Sequence, residues 1–388
     1  MKPIPYGRQS IDDQDIEAVV QVLRSDFLTS GPVIPRFENA IRDYCGAKYA
    51  VAVSNATSGL HLACLALDLK KGDRVWTSPN TFVASANCAL YCGAEIDFVD
   101  IDPGTYNLSV TELEKKLQAA KKAGTLPTAL VAVHFGGQSC DMRRIHELSK
   151  TYGFKIIEDA SHAIGGSYLG KPVGSCEFSD IAVFSLHPVK IITTGEGGLL
   201  LTNQVELHEK MSRLRSHGIT RDPKLMSHAP DGPWYYEQLD LGYNFRMTDI
   251  QAALGLSQMR RLKEFIARRT ALADRYRKLL AGMAVEVPVE TPDAKSAHHL
   301  FVIRLKTSAL KKTHLQVFED LQRQGILVNI HYIPVYLQPY YQKLGFKRGE
   351  CPQAEKYYAE AITLPLFPAM SDADQDRVVS ALKEAIGK

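Results

Sequence analysis

The feature that most constrains the fold is a regular alternation of strand-length apolar runs with segments of helical periodicity across the first two thirds of the chain. Strand candidates fall at Tyr49–Val53, Arg74–Ser78, Glu95–Val99, Thr128–His134, Phe154–Ile157, Asp180–Ser185 and Gly198–Thr202. Helical patterns lie between most of them, at Ser58–Leu69, Phe82–Tyr91, Val110–Lys122 and Met142–Tyr152. Strands that are apolar throughout, rather than alternately apolar and polar, are buried on both faces. With intervening helices, that predicts a mostly parallel seven-stranded sheet between helices, an α/β fold. Before the first strand, Ser10 is placed to cap a helix carrying Ile16, Val19, Val20 and Leu23, and Phe37–Cys45 reads as a helix closed by Gly46. From Thr248 to about Leu280 a long helical pattern follows, and then a change of character to a smaller α+β region. The expected organisation is a large domain over residues 1–250 and a small C-terminal domain over residues 251–388, beginning with a long linking helix.

Composition narrows the function. A formal charge of +3 on 388 residues is too small to point to nucleic acid or an anionic membrane as the main partner. The longest apolar runs are strand-length, which argues against a membrane span. The N-terminal MKPIPYGRQSIDDQD turns acidic before any apolar run and does not read as a signal peptide. Seven scattered cysteines suit a reducing cytoplasm. Cys88 and Cys92, four apart on one helical pattern, read as small hydrophobes, and no metal site is expected.

In a mostly parallel sheet, chemistry is sought in the loops after the strands. Four elements stand there. Ser54-Asn-Ala-Thr-Ser-Gly-Leu60 links a strand directly to a helix, and its small and hydroxyl residues can cup a phosphate on free backbone N–H groups. Phe82, after Asn80 and Thr81, offers an aromatic face to a flat ligand. Asp159, in Glu158-Asp159-Ala160-Ser161-His162, closes a very apolar strand, and a carboxylate buried there needs a cationic partner such as a protonated pyridine nitrogen. Lys190 follows Phe184-Ser185-Leu186-His187-Pro188-Val189, 31 residues past Asp159, with no basic neighbour. An ordinary lysine amine, with a pKa of about 10.4, is a poor nucleophile at neutral pH; a desolvated pocket would change that. Taken singly, each element has a plain structural explanation: an N-cap, a core aromatic, a salt-bridged Asp, a surface lysine. Their order and spacing set them apart.

That order, with S-N-A-T-S-G-L, E-D-A-S-H-A, F-S-L-H-P-V-K and T-T-G-E-G-G followed by R-S-H-G-I and G-Y-N-F-R-M-T-D-I-Q-A-A-L-G, resembles the sugar aminotransferase family of fold-type I pyridoxal 5'-phosphate (PLP) enzymes, from Tyr6 to the C-terminal helix. The resemblance implies PLP as cofactor and Lys190 as the Schiff-base lysine that also moves the proton. It places Asp159 on the pyridine nitrogen, His162 near the ring hydroxyl, Phe82 against the ring, and Ala56, Thr57, Ser58 and Ser185 on the phosphate. It further implies that Asn244 reaches the same phosphate from the second subunit of a homodimer, and that Tyr6, Leu28, Thr29, Arg246, His331 and Tyr332 lie on the substrate side. The implied reaction carries an amino group from L-glutamate, released as 2-oxoglutarate, to C4 of a UDP-linked keto sugar.

Three other readings share parts of this pattern. A PLP-dependent sugar dehydratase of the same fold would carry histidine where Lys190 stands. A non-catalytic PLP-binding regulator would need a DNA-binding segment that the first 30 residues do not supply. An aminotransferase for another UDP- or dTDP-keto sugar would differ in pocket shape alone.

Overall fold

The computed structural model describes residues 2–387. Seven strands form the central sheet: β1 (Tyr49–Val53), β2 (Arg74–Thr77), β3 (Glu95–Phe98), β4 (Ala129–Val133), β5 (Lys155–Asp159), β6 (Ile181–Ser185) and β7 (Gly198–Thr202), in spatial order β1-β7-β6-β5-β4-β2-β3. Only β7 runs antiparallel to its neighbours; β6, β5, β4, β2 and β3 are mutually parallel. The chain proceeds outward from β2 to β3, then crosses back to β4 and builds in the other direction. That reversal opens a crevice at the carboxyl ends of the strands.

Alternate strand residues feed two cores, which is why the runs are apolar at every position. Val51, Val131, Ile157, Val183 and Leu200 pack on one face with Leu60, Leu62 and Ala86 of the helices Ala56–Ala66 and Ala84–Tyr91. Ala52, Ala182, Phe184 and Leu199 face the opposite side, against the helices Val33–Cys45 and Asp249–Met259, while Leu130 and Ile156 meet Leu117 and Ile145. Each fully buried Val, Leu or Ile contributes about 1.5–3 kcal/mol relative to exposure. The same alternation separates two neighbouring acids. Asp159 shares the face of Ile157, while Glu158 turns to the other face and pairs there with His134 at 2.7 Å.

A second layer has its own core. Val285–Glu286, Phe301–Leu305 and Ala361–Leu364 form an antiparallel sheet, with Phe301–Leu305 in the middle. It is packed by Leu272 and Tyr276 of helix Leu262–Leu279, Leu321 of His314–Arg323 and Leu382 of Asp372–Ala385. The start of the chain joins this layer: Ile4–Pro5 pairs in parallel with Ile326–Leu327, and Ile4 is buried in its core.

Two expected elements differ. The helix after Ser10 is capped by Asp12, whose side chain accepts from the Asp15 amide while the Asp15 side chain accepts from the Asp12 amide. Its apolar residues Ile16 and Leu23 are exposed; the buried contact is made by Val22 and by Asp15, which accepts from Ser257 and Gln258. The helical stretch from Thr248 is two helices, Asp249–Met259 and Leu262–Leu279, interrupted at Arg260 and Arg261. The periodicity continues across the break because both helices bury one face.

Candidate active site

The loops that leave β1, β2, β5 and β6 meet around a cavity of about 880 Å³, roofed by Tyr6 and residues 329–332 of the second layer. Tyr6 is held there by the short Ile4–Pro5 strand, and its carbonyl accepts from the Leu366 amide at 3.0 Å. Of the residues singled out in the sequence, Tyr6, Ala56, Thr57, Ser58, Phe82, Asp159, His162, Ser185, Lys190, His331 and Tyr332 all line this one cavity. Leu28, Thr29, Asn244 and Arg246 do not. Leu28, Thr29 and Asn244 are exposed on the surface, and the backbone of Arg246 bridges to Val53.

At one end, helix Ala56–Ala66 starts at the wall. Asn55 caps it by accepting the Ser58 amide at 2.8 Å, which leaves the amides of Ala56 and Thr57 without helical partners at the positive end of the helix dipole. The Ser54 and Ser58 hydroxyls lie 3.3 Å apart. The helix can begin this close to β7 because the adjoining residue is Gly198: a methyl group there would stand 2.6 Å from the backbone of Asn55. This is a cradle for a dianionic group.

Across the cavity, Asp159 is 5% exposed. Its carboxylate accepts from the Ser85 hydroxyl at 2.5 Å and from the Ser161 amide at 3.1 Å, and among the described residues it has no ion-pair partner. A buried carboxylate with hydrogen bonds but no salt bridge fits a ligand that brings a positive charge against it. Ser85 escaped the sequence reading; its one signal is a hydroxyl one turn beyond Phe82 in a helix of mostly small residues. Phe82 is 59% exposed and lines the same cavity as the phosphate cradle and the carboxylate. A planar pyridine ring with a phosphate arm matches this set of groups.

Two imidazoles near Lys190, those of His162 and His331, are held uncharged. Burial, then the nearby Lys190 charge, holds His162 well below the ordinary histidine range and His331 down to about 3. The Gly136 amide donates to His162 Nδ1 at 3.3 Å, so the ring proton sits on Nε2, 3.3 Å from the Tyr332 hydroxyl. Tyr332 is kept a phenol by burial and by Asp159. His331 Nδ1 lies 2.8 Å from Thr363 Oγ1. Lys190 itself is half-buried, and its amine is pushed down to about 8 by desolvation, against the upward pull of Asp159.

That value gives a testable sign. The free amine is the species that attacks an aldehyde, and it becomes abundant above its pKa. Capture of added PLP by cofactor-free protein is expected to accelerate with pH up to about 8 and level off there, where an ordinary lysine would keep climbing past 10. Stopped-flow absorbance across pH 6–10 measures it; a rate still rising tenfold per unit at pH 9 would contradict the assignment.

Sequence reading also missed Glu196 and Asn329, which line the cavity from the T-T-G-E-G-G turn and from the second layer. Nothing in a single sequence marks Asn329, because its place follows from packing of the two layers.

The chain is similar to known aminotransferases along almost its whole length. The profile of the DegT/DnrJ/EryC1/StrS aminotransferase family matches residues 9–383. The chain is 37% identical over 388 residues to the UDP-4-amino-4,6-dideoxy-N-acetyl-beta-L-altrosamine transaminase of Campylobacter jejuni, covering 99% of this chain and 98% of that protein. Helicobacter pylori PseC, an aminotransferase involved in the biosynthesis of pseudoaminic acid, is similar at a TM-score of 0.89 and 30% identity over 99% of both chains. Streptococcus pneumoniae Spr1654 is similar in its PLP form (TM-score 0.88, 29% identity, 99% of this chain and 98% of that one) and in its PMP form (0.89, 28%, 99% and 97%).

Proposed function

Because the chain belongs to the DegT/DnrJ/EryC1/StrS aminotransferase family, and is thus a PLP-dependent nucleotide-sugar aminotransferase of fold type I, we propose a specific substrate. The enzyme moves the amino group of L-glutamate to C4 of a UDP-4-keto-6-deoxy-N-acetylhexosamine. The product is UDP-4-amino-4,6-dideoxy-N-acetyl-β-L-altrosamine, a step of pseudaminic acid biosynthesis in the cytoplasm. What carries this reading is similarity along almost the whole chain to a transaminase of that name and to PseC. The test is to incubate the yellow holoenzyme with glutamate and a panel of UDP- and dTDP-linked 4-keto sugars, scoring bleaching and product stereochemistry. Preference for a dTDP sugar, or the other C4 configuration, would overturn the substrate while leaving the reaction type intact.

When bound, PLP supplies an electron sink for the carbon that bears the transferred nitrogen. The chain's own groups do the rest. The Ala56 and Thr57 amides with the Thr57, Ser58 and Ser185 hydroxyls hold the phosphate and fix the ring's position. Asp159 keeps the ring nitrogen protonated, and Ser85 holds Asp159 in place. Phe82 would cover one ring face and shed water from it. His162, whose Nε2 lies 3.3 Å from the Tyr332 hydroxyl, would stand beside the ring hydroxyl. Lys190 would anchor the cofactor covalently, and its free amine would take the α-proton of glutamate and deliver a proton to sugar C4. Its depressed pKa suits both directions near neutral pH. Tyr6, His331 and Tyr332 form the sugar side of the wall.

The residues left outside the cavity, Leu28, Thr29 and Asn244, are assigned to the other active site of a homodimer, with Asn244 completing the partner's phosphate cradle and Arg246 following it. A sharp expectation follows from this sharing. Homodimers of Lys190→Ala and of Asn244→Asp are each impaired, but mixed and re-equilibrated they form heterodimers with one fully wild-type site. Activity should return to about a quarter of the wild-type value, since half of the dimers are mixed and half of their sites are intact. No recovery on mixing would remove Asn244 from the partner's site.

A further inference from the structure

Helix Leu262–Leu279 buries a guanidinium that meets no carboxylate. Arg269 is 1% exposed and forms no ion pair among the described residues. Its Nη1 donates instead to three backbone carbonyls, those of Leu366 at 3.0 Å, His298 at 3.2 Å and His299 at 3.3 Å, while Nε has no partner. Burial pushes the guanidinium down to about 10, so it still carries its charge near neutral pH. A buried charge left to carbonyl dipoles is costly, and an apolar side chain would fill the same space without that cost. Arg269 does not line the cavity, yet the carbonyls it gathers lead to two of the cavity's walls.

One wall is that of His162. In an extended chain successive carbonyls point to opposite sides. The His298 backbone is left-handed, at φ 49°, which lets the carbonyls of His298 and His299 converge on one nitrogen. A non-glycine residue keeps that conformation only where its surroundings hold it. The same segment is tied to the loop after β4: the Ala297 amide donates to the Gly137 carbonyl at 2.9 Å, and the Leu300 amide to the Gly136 carbonyl at 3.1 Å. Gly136 in turn donates to His162 Nδ1 at 3.3 Å, and the His299 ring centre lies 4.4 Å from that of His162. The fit leaves little play. A methyl group on Gly137 would stand 2.9 Å from the His298 nitrogen and 3.0 Å from the His162 carbonyl oxygen.

The third carbonyl leads to the roof. Leu366 accepts from Arg269 through its oxygen and donates its amide to the Tyr6 carbonyl at 3.0 Å. The Tyr6 ring packs against His331 with 5.1 Å between ring centres. A single nitrogen on helix Leu262–Leu279 thus joins the segment behind His162 to the segment that carries Tyr6.

We propose that Arg269 is a positioning residue for the aminotransferase reaction: it holds the His162 wall and the Tyr6 roof at a fixed separation without touching cofactor or substrate. The inference rests on the reading of His162 as the neighbour of the ring hydroxyl and of Tyr6 as part of the sugar side. Two variants separate charge from reach. Lysine keeps the charge but is shorter by one bond than Nη1, so it misses carbonyls placed for the guanidinium. Methionine fills the space and loses charge and donors alike.

The test compares wild type, Arg269→Lys and Arg269→Met, first without cofactor. Amide hydrogen exchange read by mass spectrometry should quicken at least ~10-fold in the peptides holding residues 297–300 and 366, and stay unchanged in the central strand Ile181–Ser185. In the PLP-loaded variants, the pH at which the cofactor's visible band changes should move by at least ~0.5, because the His162 wall shifts. KM for the UDP-4-keto sugar should rise at least ~10-fold while KM for glutamate, which lacks the sugar that Tyr6 meets, moves less than about threefold. Tyr276→Phe is the packing control. Its hydroxyl, on the same helix, donates to the Pro365 carbonyl at 2.9 Å, and its loss should lower the melting temperature without moving the band. Should Arg269→Met fail to fold, Arg269→Lys carries the same readings. Exchange that quickens uniformly, or a lower melting temperature with an unmoved band as in the control, would make Arg269 a plain core residue and overturn the proposal. The exchange measurement needs neither cofactor nor sugar, so it stands apart from the proposed substrate.

Discussion

Lys190→Ala is expected to cut turnover by at least ~10⁴-fold while the protein folds normally, because the substitution removes both the covalent anchor and the group that moves the proton. The fold should tolerate it. The lysine side chain makes no hydrogen bond or ion pair among the described residues and extends into the cavity rather than the core. Cofactor-free variant should even gain stability. Folding pushes this amine from 10.5 to about 8, so the native state pays to keep it charged. At pH 7 both folded and unfolded chains hold the proton and the cost is fully present, up to about 3 kcal/mol. As pH rises through 8 toward 10.5 the folded amine deprotonates first, and the advantage of the variant shrinks until it vanishes above 10.5. Thermal melts of the two cofactor-free proteins at pH 7 and pH 10 measure the sign, and assays at high enzyme concentration measure the rate. Residual turnover within ~100-fold of wild type would remove Lys190 from the chemistry.

Asp159→Asn is the second large effect, and its size differs between the free and loaded protein. The side chain keeps its shape and a partner in Ser85, but the charge is gone. Without cofactor, Asp159 forms no salt bridge among the described residues and only the half-buried Lys190 amine acts on it, without a hydrogen bond, so neutralising it should change stability little. With cofactor, the variant loses the charge that holds the ring nitrogen protonated. Breaking a buried pair of this kind costs about 3–5 kcal/mol, which sets the expected loss in turnover on the order of 10³-fold. Cofactor affinity should fall in the same experiment. Single-turnover bleaching with glutamate isolates the step, since it needs no sugar. If that half-reaction stays within tenfold of wild type, Asp159 does not face the ring nitrogen.

Both predictions rest on residues that the sequence alone marks out, and the reason is local. Lys190, Asp159, Phe82 and Thr57 each stand within a few residues of an apolar strand's carboxyl end, and in a parallel sheet all such ends lie on one edge. The cavity gathers them as the strand order requires. Ser85 was out of reach because a single hydroxyl in a helix gains meaning only once the helix is seen beside β5. The cap of the first helix shows the opposite failure: Ser10 and Asp12 are both acceptable caps, and the reciprocal bond between Asp12 and Asp15 decides the matter.

By itself, then, the order of residues determined the alternating layers, the strands buried on both faces, the phosphate cradle at a helix start and the lysine and carboxylate that flank it, because these depend on periodicity and on neighbours close in the chain. The three-dimensional structure alone decided that the N-terminal strand Ile4–Pro5 docks on Ile326–Leu327 and carries Tyr6 over the cavity, that the long helix breaks at Arg260 and Arg261, and that Leu28, Thr29 and Asn244 face outward. Each of these depends on contacts between segments far apart in sequence, where the gain comes from burying one surface against another and leaves no periodic trace in either segment.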